Sequence, residues 1–451
     1  MAPDSNESPG AERAAIASPR RQAIRLAYLN GLLWAIGNGL ASTSLVVFLA
    51  FEYGAKGLGI SLVLAAPRLV GVLRLATPAL IQRVGSRRRL CLGGYLASAI
   101  VLAILPIVTA PGTWSSESIS LQWLVVCWCL YHLLEFVATV ALWSWLGELI
   151  PRRIRGRCLG YRERCMLTGS VAAMLASALL TYLWREQRPA ADIWQAYGIS
   201  TFAGALCMLA ALIPLARIPQ LARRDGRDPR VADESHSKSA VHSRLLAGLA
   251  DPRFAALVLF GCWFSFCNGL TQSAQNFFFA KVLGLQLAFK LLLETGQRLG
   301  KWSLAPAVGR LCDRHGNKPV LIGSQLLVAA AMLFFAAATP EHTYVVAGAW
   351  LLWIAYAGLD IGLPNLMLAL SPRERDASFI ALYYAASSLC FGLSTILGGW
   401  LVDDWRDTAW QLGGLTLGLF PAIFVLGWLL RSAGVLLLRR IDERAPRREA
   451  G

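Results

Sequence analysis

Twelve long stretches of mostly apolar residues divide this 451-residue chain, and each is close to the length that crosses a bilayer. A helix rises 1.5 Å per residue, so about 20 such residues span the hydrocarbon layer. The stretches run over residues 25–51, 58–81, 90–110, 121–148, 165–184 and 197–218, then 254–280, 283–311, 320–339, 344–370, 378–402 and 410–438. Hydrophobic residues make up 56% of the chain and charged residues 16%, with a mean hydropathy of +0.51. A soluble chain carries about 25% charge. Water is therefore not the main solvent, and the expected fold is an all-α membrane protein with twelve transmembrane helices.

The formal net charge is +16, which in a soluble protein would point to nucleic acid. Here the cations fall in the short connections on alternate sides of the spans. One side collects the N-terminal tail, Arg83 to Arg89, the Arg152 to Arg164 cluster, the 217–253 connection, Arg310, Arg314, Lys318, Arg373, Arg375 and the tail after residue 438. The other side holds Lys56, Arg185, Arg188, Lys281 and Arg406. That bias places both termini in the cytoplasm of a cell inner-membrane protein and removes the need for a nucleic-acid partner. The ten cysteines lie mostly within apolar runs without C-x-x-C spacing, so neither a disulfide framework nor a metal site is expected.

The longest polar stretch separates six spans from six. Its Asp225, Asp228, Asp233, Glu234 and serines cannot bury enough apolar surface to fold alone, so it reads as a tether, with a short interfacial helix at about 240–249. The expected organisation is a disordered cytoplasmic tail over 1–24, a bundle over 25–219, a cytoplasmic linker over 220–253, a second bundle over 254–438 and a tail over 439–451. No apolar core of a cleaved signal peptide is evident in the first residues.

One short phrase occurs twice, about half the chain apart. Gly309, Leu311, Asp313, Arg314, Gly316 and Lys318 follow span 8, and a blurred copy with Leu80, Gln82, Arg83, Gly85 and Arg87 to Arg89 follows span 2. A second echo links Ile150-Pro151-Arg152-Arg153 after span 4 with Ser371-Pro372-Arg373-Glu374 after span 10. Two echoes in one order support duplication, the plan of a carrier with two comparable bundles. At these loops the sequence resembles the major facilitator superfamily, whose signature G-x-L-x-D-R-x-G-R/K-K/R is matched closely by Gly309 to Lys318. The first copy departs from it, with Pro78 in place of the glycine and Gln82 in place of the acid. The resemblance implies two six-helix pseudo-repeat bundles, alternating access and a cavity lined mainly by spans 1, 4, 7 and 10. Asp313 is expected to latch one state, while Arg314 and Lys318 reach anionic lipid heads.

Ionisable groups in lipid are costly, so those inside spans should face the bundle interior or water. Spans 3, 6, 9 and 12 are read as free of charge in their middles. Span 1 offers Asn38; span 4 offers His132 and Glu135; span 7 offers a stripe of Asn268, Gln272 and Asn276; span 10 offers Asp360 and Asn365. Arg68 in span 2 and Arg298 in span 8 join the candidates for solute contact. Single amides more often make interhelical bonds, whereas three on one face exceed what packing requires. Glu135, Asp360 and Glu294 are the candidate proton-coupling acids, because a carboxyl whose hydration changes with the cavity can load and release a proton. The plain alternatives are a static pair between Glu135 and an arginine such as Arg68, and a self-neutralising ladder of Lys290, Glu294 and Arg298.

No Walker A loop, H-E-x-x-H or G-x-S-x-G is present, and no cofactor or enzymatic activity is expected. Span 5 lacks the proline-containing glycine motif of the family's drug:proton antiporters. The expected function is secondary active transport of a small-molecule substrate, proton-coupled, by a monomer among membrane lipids. The alternative is a non-transporting sensor or lipid-handling protein on the same scaffold.

Overall fold

A computed structural model describes residues 9–73, 77–149, 155–189, 192–218, 251–370, 376–412 and 415–441. With no water in the hydrocarbon layer, each crossing segment must satisfy its own backbone groups, and the apolar stretches do so as helices. They are α1 (Pro9–Leu40), α2 (Thr43–Glu52), α3 (Gly57–Gly71), α4 (Thr77–Val84), α5 (Arg87–Val108), α6 (Glu117–Leu149), α7 (Arg155–Gln187) and α8 (Ile193–Ala216). The second half gives α9 (Pro252–Phe277), α10 (Leu287–His315), α11 (Asn317–Ala337), α12 (Ala347–Leu352), α13 (Tyr356–Leu370), α14 (Asp376–Trp405) and α15 (Leu419–Arg440).

Several spans are composite. Span 1 is α1 and α2, interrupted at Ala41 and Ser42; span 2 is α3 and α4; span 10 joins α12 to α13 through a 3-10 turn at Trp353–Ala355. Span 7 extends α9 by a π-helical turn, Phe278–Val282. Among the described residues, ten helical segments are long and apolar enough to cross a membrane. Span 2 misses that measure because its helices are short, and span 8 because α10 carries Lys290, Glu294, Arg298 and Lys301.

Two expected boundaries are corrected. The tail expected to be disordered over 1–24 is helical from Pro9 onward, as the first turns of α1. Span 12 begins at Leu419, not at residue 410, because Ala409–Leu412 pairs antiparallel with Leu415–Gly418 in a two-stranded ribbon. The sequence AWQL-GG-LTLG carries the reason: a Gly-Gly pair between two short apolar runs is a two-residue hairpin signal that outweighs continued helix. The tether and its expected short helix lie outside the described residues, as do residues 150–154 and 371–375 of the second echo.

The chain forms two compact units. The first comprises Met1–Ser42, Ala76–Ala110 and Leu130–Gly226, where α1 packs on α7 and α8, and α5 on α8. The second comprises Thr43–Leu75, Pro111–Cys129 and Arg227–Gly451. In it α9 packs on α14 and α15, α11 on α13 and α15, and α14 on α3. The α3–α14 contact is close because both helices present glycine. A Cβ on Gly399 would lie 2.4 Å from the Gly57 carbonyl oxygen and 2.5 Å from Ser61 Cβ, so only hydrogen fits there.

Candidate functional site

The second unit contains a buried charged cluster where α2, α9 and α10 meet. Lys290 and Glu294 are one turn apart on α10, with Nζ 3.9 Å from Oε1. The Lys290 ammonium, 7% exposed, donates to Asn276 Oδ1 and lies 5.8 Å from the Phe48 ring centroid. Glu294 Oε1 accepts a 2.5 Å hydrogen bond from the Ser44 hydroxyl. A cation at this depth is tolerated when charge and hydrogen bonds both compensate it, and the cluster supplies one carboxylate, one amide and one aromatic face. The expected Asn276 and Glu294 are thus brought together, and Ser44 joins them from just beyond the break in span 1. Sequence analysis did not single out Ser44, because span 1 reads as one continuous apolar run and the break beside it appears only in the fold.

Farther along α9, the remaining amides separate onto different neighbours. Asn268 donates from Nδ2 to the Phe264 carbonyl at 2.8 Å and accepts from the Tyr356 hydroxyl at 3.0 Å. Gln272 lies on the same face, its carbonyl accepting from Asn276 Nδ2 at 2.9 Å. Gln275 turns toward Thr271, donating to Oγ1 at 2.8 Å. Arg431 of α15 donates from Nη2 to the same oxygen at 2.7 Å. Arg431 is 1% exposed and lies near the middle of α15, so the expectation that span 12 is uncharged at its centre is corrected. Arg431, standing eight residues before the Arg439 and Arg440 of the last turn in an otherwise uncharged helix, was the signal.

The first unit holds a second polar group. Tyr131, 1% exposed, donates to Asn38 Oδ1 at 3.0 Å, and its ring centroid lies 4.8 Å from that of His132. His132 Nδ1 is 3.2 Å from Glu135 Oε2. Helical spacing explains the grouping, since residues 131 and 135 share one face and 132 sits beside it. Asn38, His132 and Glu135 therefore form one neighbourhood whose connector, Tyr131, was not among the residues singled out from the sequence.

Other expected residues lie apart. Arg68 is exposed, with its guanidinium 4.6 Å from the Phe391 ring centroid. Asp360 is exposed and paired with Lys301 at 2.7 Å. Arg298 is exposed on α10. Asn365 is also exposed, and its Nδ2 donates to Asn317 Oδ1 at 3.2 Å, beside the second loop phrase.

The two loop phrases share a local design. Gly316 has φ 87° and Gly85 φ 69°, left-handed values that favour glycine and let each helix end in a tight reversal. Just beyond Gly316, Lys318 Nζ donates to the carbonyls of Arg439 at 2.7 Å and Ile441 at 2.8 Å, at the end of α15. Just beyond Gly85, Arg88 donates to the Ala216 carbonyl at the end of α8. In each half a cation after the glycine satisfies the orphan carbonyls of that half's last helix. Gly309, Asp313, Arg314 and Arg83 line the same connections, the three charged side chains exposed.

At the other end of α14, Asp403 caps α3. Its Oδ1 accepts from Gly57 N at 2.6 Å and its Oδ2 from Leu58 N at 2.8 Å, placing a carboxylate on the positive end of the helix dipole.

The sequence profile described as Major Facilitator Superfamily matches residues 27–297 and 265–450. The multidrug resistance protein MdtH of Yersinia pestis (strain Pestoides F) is 30% identical over 182 residues, 38% of this chain and 39% of that protein. MdtH of Yersinia pseudotuberculosis serotype O:1b (strain IP 31758) matches equally, so the chain spans well under half the length of these curated relatives. Among solved structures, the inward-open xylose transporter XylE from E. coli superposes with a TM-score of 0.64 at 14% identity, covering 94% of this chain and 97% of that one. The nucleoside transporter NupG gives 0.60 at 14%, covering 94% and 98%. At these identities the likeness is one of fold. The profile matches, the repeated loop phrases and the ten membrane-length helices among the described residues together make this chain a member of the major facilitator superfamily, with its all-α membrane fold.

Proposed function

We propose that this transporter is a proton-coupled secondary carrier of a small organic solute, working by alternating access as a monomer in the cell inner membrane, with both termini cytoplasmic. The observation that carries the reading is the Lys290, Glu294, Asn276 and Ser44 cluster. With Glu294 ionised, Lys290 has its counter-charge at 3.9 Å and an amide ligand. When Glu294 takes a proton, the negative charge beside Lys290 disappears and the ammonium seeks a new electron-rich partner. A solute offering a carboxylate, phosphate or polarised carbonyl supplies it, so proton and solute load together. Losing the proton to the other side restores the internal pair and expels the solute. The solute itself undergoes no chemical change.

The polar neighbourhood of Asn38, Tyr131, His132 and Glu135 in the first unit is a second place where a proton can reside, and Asp360 a third. Nucleosides, as named for NupG, and xylose, as named for XylE, belong in the first trial panel, together with small organic acids and drug cations. Purified protein is screened by thermal shift against that panel, and the best stabiliser is tested in proteoliposomes with an imposed pH difference. The expected result is accumulation above the equilibrium ratio that collapses when the gradient is dissipated. Equilibration without accumulation would leave a facilitator, and no flux at all would favour a sensor.

A further inference from the structure

Arg431 belongs to no part of the mechanism above, and its surroundings are unusual for a cation. It lies 1% exposed near the centre of α15, and an arginine stays protonated in proteins. Among the described residues its guanidinium makes one hydrogen bond, from Nη2 to Thr271 Oγ1 at 2.7 Å, and Nε and Nη1 have no partner. No carboxylate is within ion-pair distance among the described residues. Four acids of the unit are engaged elsewhere: Glu294 with Lys290 and Ser44, Asp360 with Lys301, Asp403 with the α3 backbone, Asp407 with Arg406.

The groups around Arg431 are neutral. Thr271 and Gln275 come from α9, Gln325 from α11 and Tyr356 from α13. Gln325 donates from Nε2 to the Arg431 carbonyl at 2.8 Å. The helix face on either side of Arg431 is glycine, one turn before at 427 and one turn after at 434. A Cβ at Gly427 would lie 2.6 Å from Thr271 Cγ2, and one at Gly434 3.2 Å from Gln325 Nε2. The neighbours close on a bare helix surface from which one long cationic side chain projects. Removing a guanidinium from water is costly by several kcal/mol unless a negative charge accompanies it, and hydroxyl and amide groups supply dipoles without that charge.

We infer that Arg431 and Thr271 form the core of a binding site for one small monovalent anion, a halide or the carboxylate end of a small organic acid. The anion accepts from the guanidinium donors that Thr271 leaves free and neutralises the charge inside the second unit. The site is separate from the Lys290 cluster and stands whether or not that cluster couples protons.

The test is thermal unfolding of the full-length protein in detergent, titrated with sodium chloride and, separately, sodium acetate, with sodium isethionate holding ionic strength constant. The expected result is a saturable rise of several degrees with chloride, acetate or both. Chloride alone assigns a halide, acetate alone a carboxylate, and mutual competition a site open to either. Arg431→Gln should abolish the dependence, and Thr271→Val should weaken half-saturation about tenfold or more while folding normally. Should Arg431→Gln fail to fold, wild-type protein crystallised in bromide gives the same answer through an anomalous peak beside the guanidinium. A wild-type midpoint insensitive to both anions overturns the inference. So does an equal shift in Arg431→Gln, or bromide absent from Arg431.

Discussion

Lys290 and Arg431 are both buried cations, yet only one has a recorded carboxylate partner, and this separates what single side chains are expected to do. Glu294→Gln retains the size of the side chain and its ability to accept from Ser44, but no longer titrates. It is expected to retain counterflow exchange of the solute while losing gradient-driven accumulation by at least about tenfold; accumulation at the wild-type level would remove Glu294 from the coupling step. Tyr131→Phe deletes the partly buried hydrogen bond to Asn38, and the unmatched amide oxygen should cost about 1–2 kcal/mol, read as a lower unfolding midpoint in detergent. At this scale the sequence was partly legible. Asn276, Glu294, His132 and Glu135 stood out because polar residues are conspicuous in apolar helices. Tyr131 and Ser44 did not, since a tyrosine or serine inside a span is compatible with plain packing. Arg431 was conspicuous, yet the reading of span 12 as uncharged at its centre passed over it.

Helices here are held as much by their ends as by their faces. Asp403 reaches two backbone N–H groups at the start of α3, and that cap joins an early segment of the chain to α14. Asp403→Asn removes the charge and one acceptor, which should weaken the contact by about 1 kcal/mol. The expected readout is faster alkylation of a cysteine introduced at Lys56, beside the cap; an unchanged rate would mean that the cap does not restrain α3. Gly399→Val tests the same contact from its face, because the new side chain meets backbone that has no rotamer to escape into. A loss of about 2 kcal/mol or more in stability is expected from overpacking. Helix existence was readable from apolar length alone, and boundaries were readable where a turn residue marked them. The start of span 12 was misplaced because Trp410 to Leu417 are apolar enough for a span while their Gly-Gly centre specifies a ribbon.

Over the whole molecule, the twelve spans and the duplicated plan were legible because both are written in local sequence, as runs of apolar residues and a phrase that repeats. Partners across helices were not, because a residue's neighbour on another helix is fixed by packing over a separation of tens to hundreds of positions. The loop phrases illustrate the difference: their repetition was visible, while their use as clasps on the carbonyl ends of α8 and α15 required the fold. Since Arg88 secures the last helix of the first half and Lys318 that of the second, the peptide bonds of the polar stretch expected to act as a tether should be dispensable. Two genes encoding residues 1–230 and 231–451, expressed in one cell, should yield fragments that co-purify through the α3–α14 seam and regain transport by complementation, much as two hands find each other without a shared sleeve.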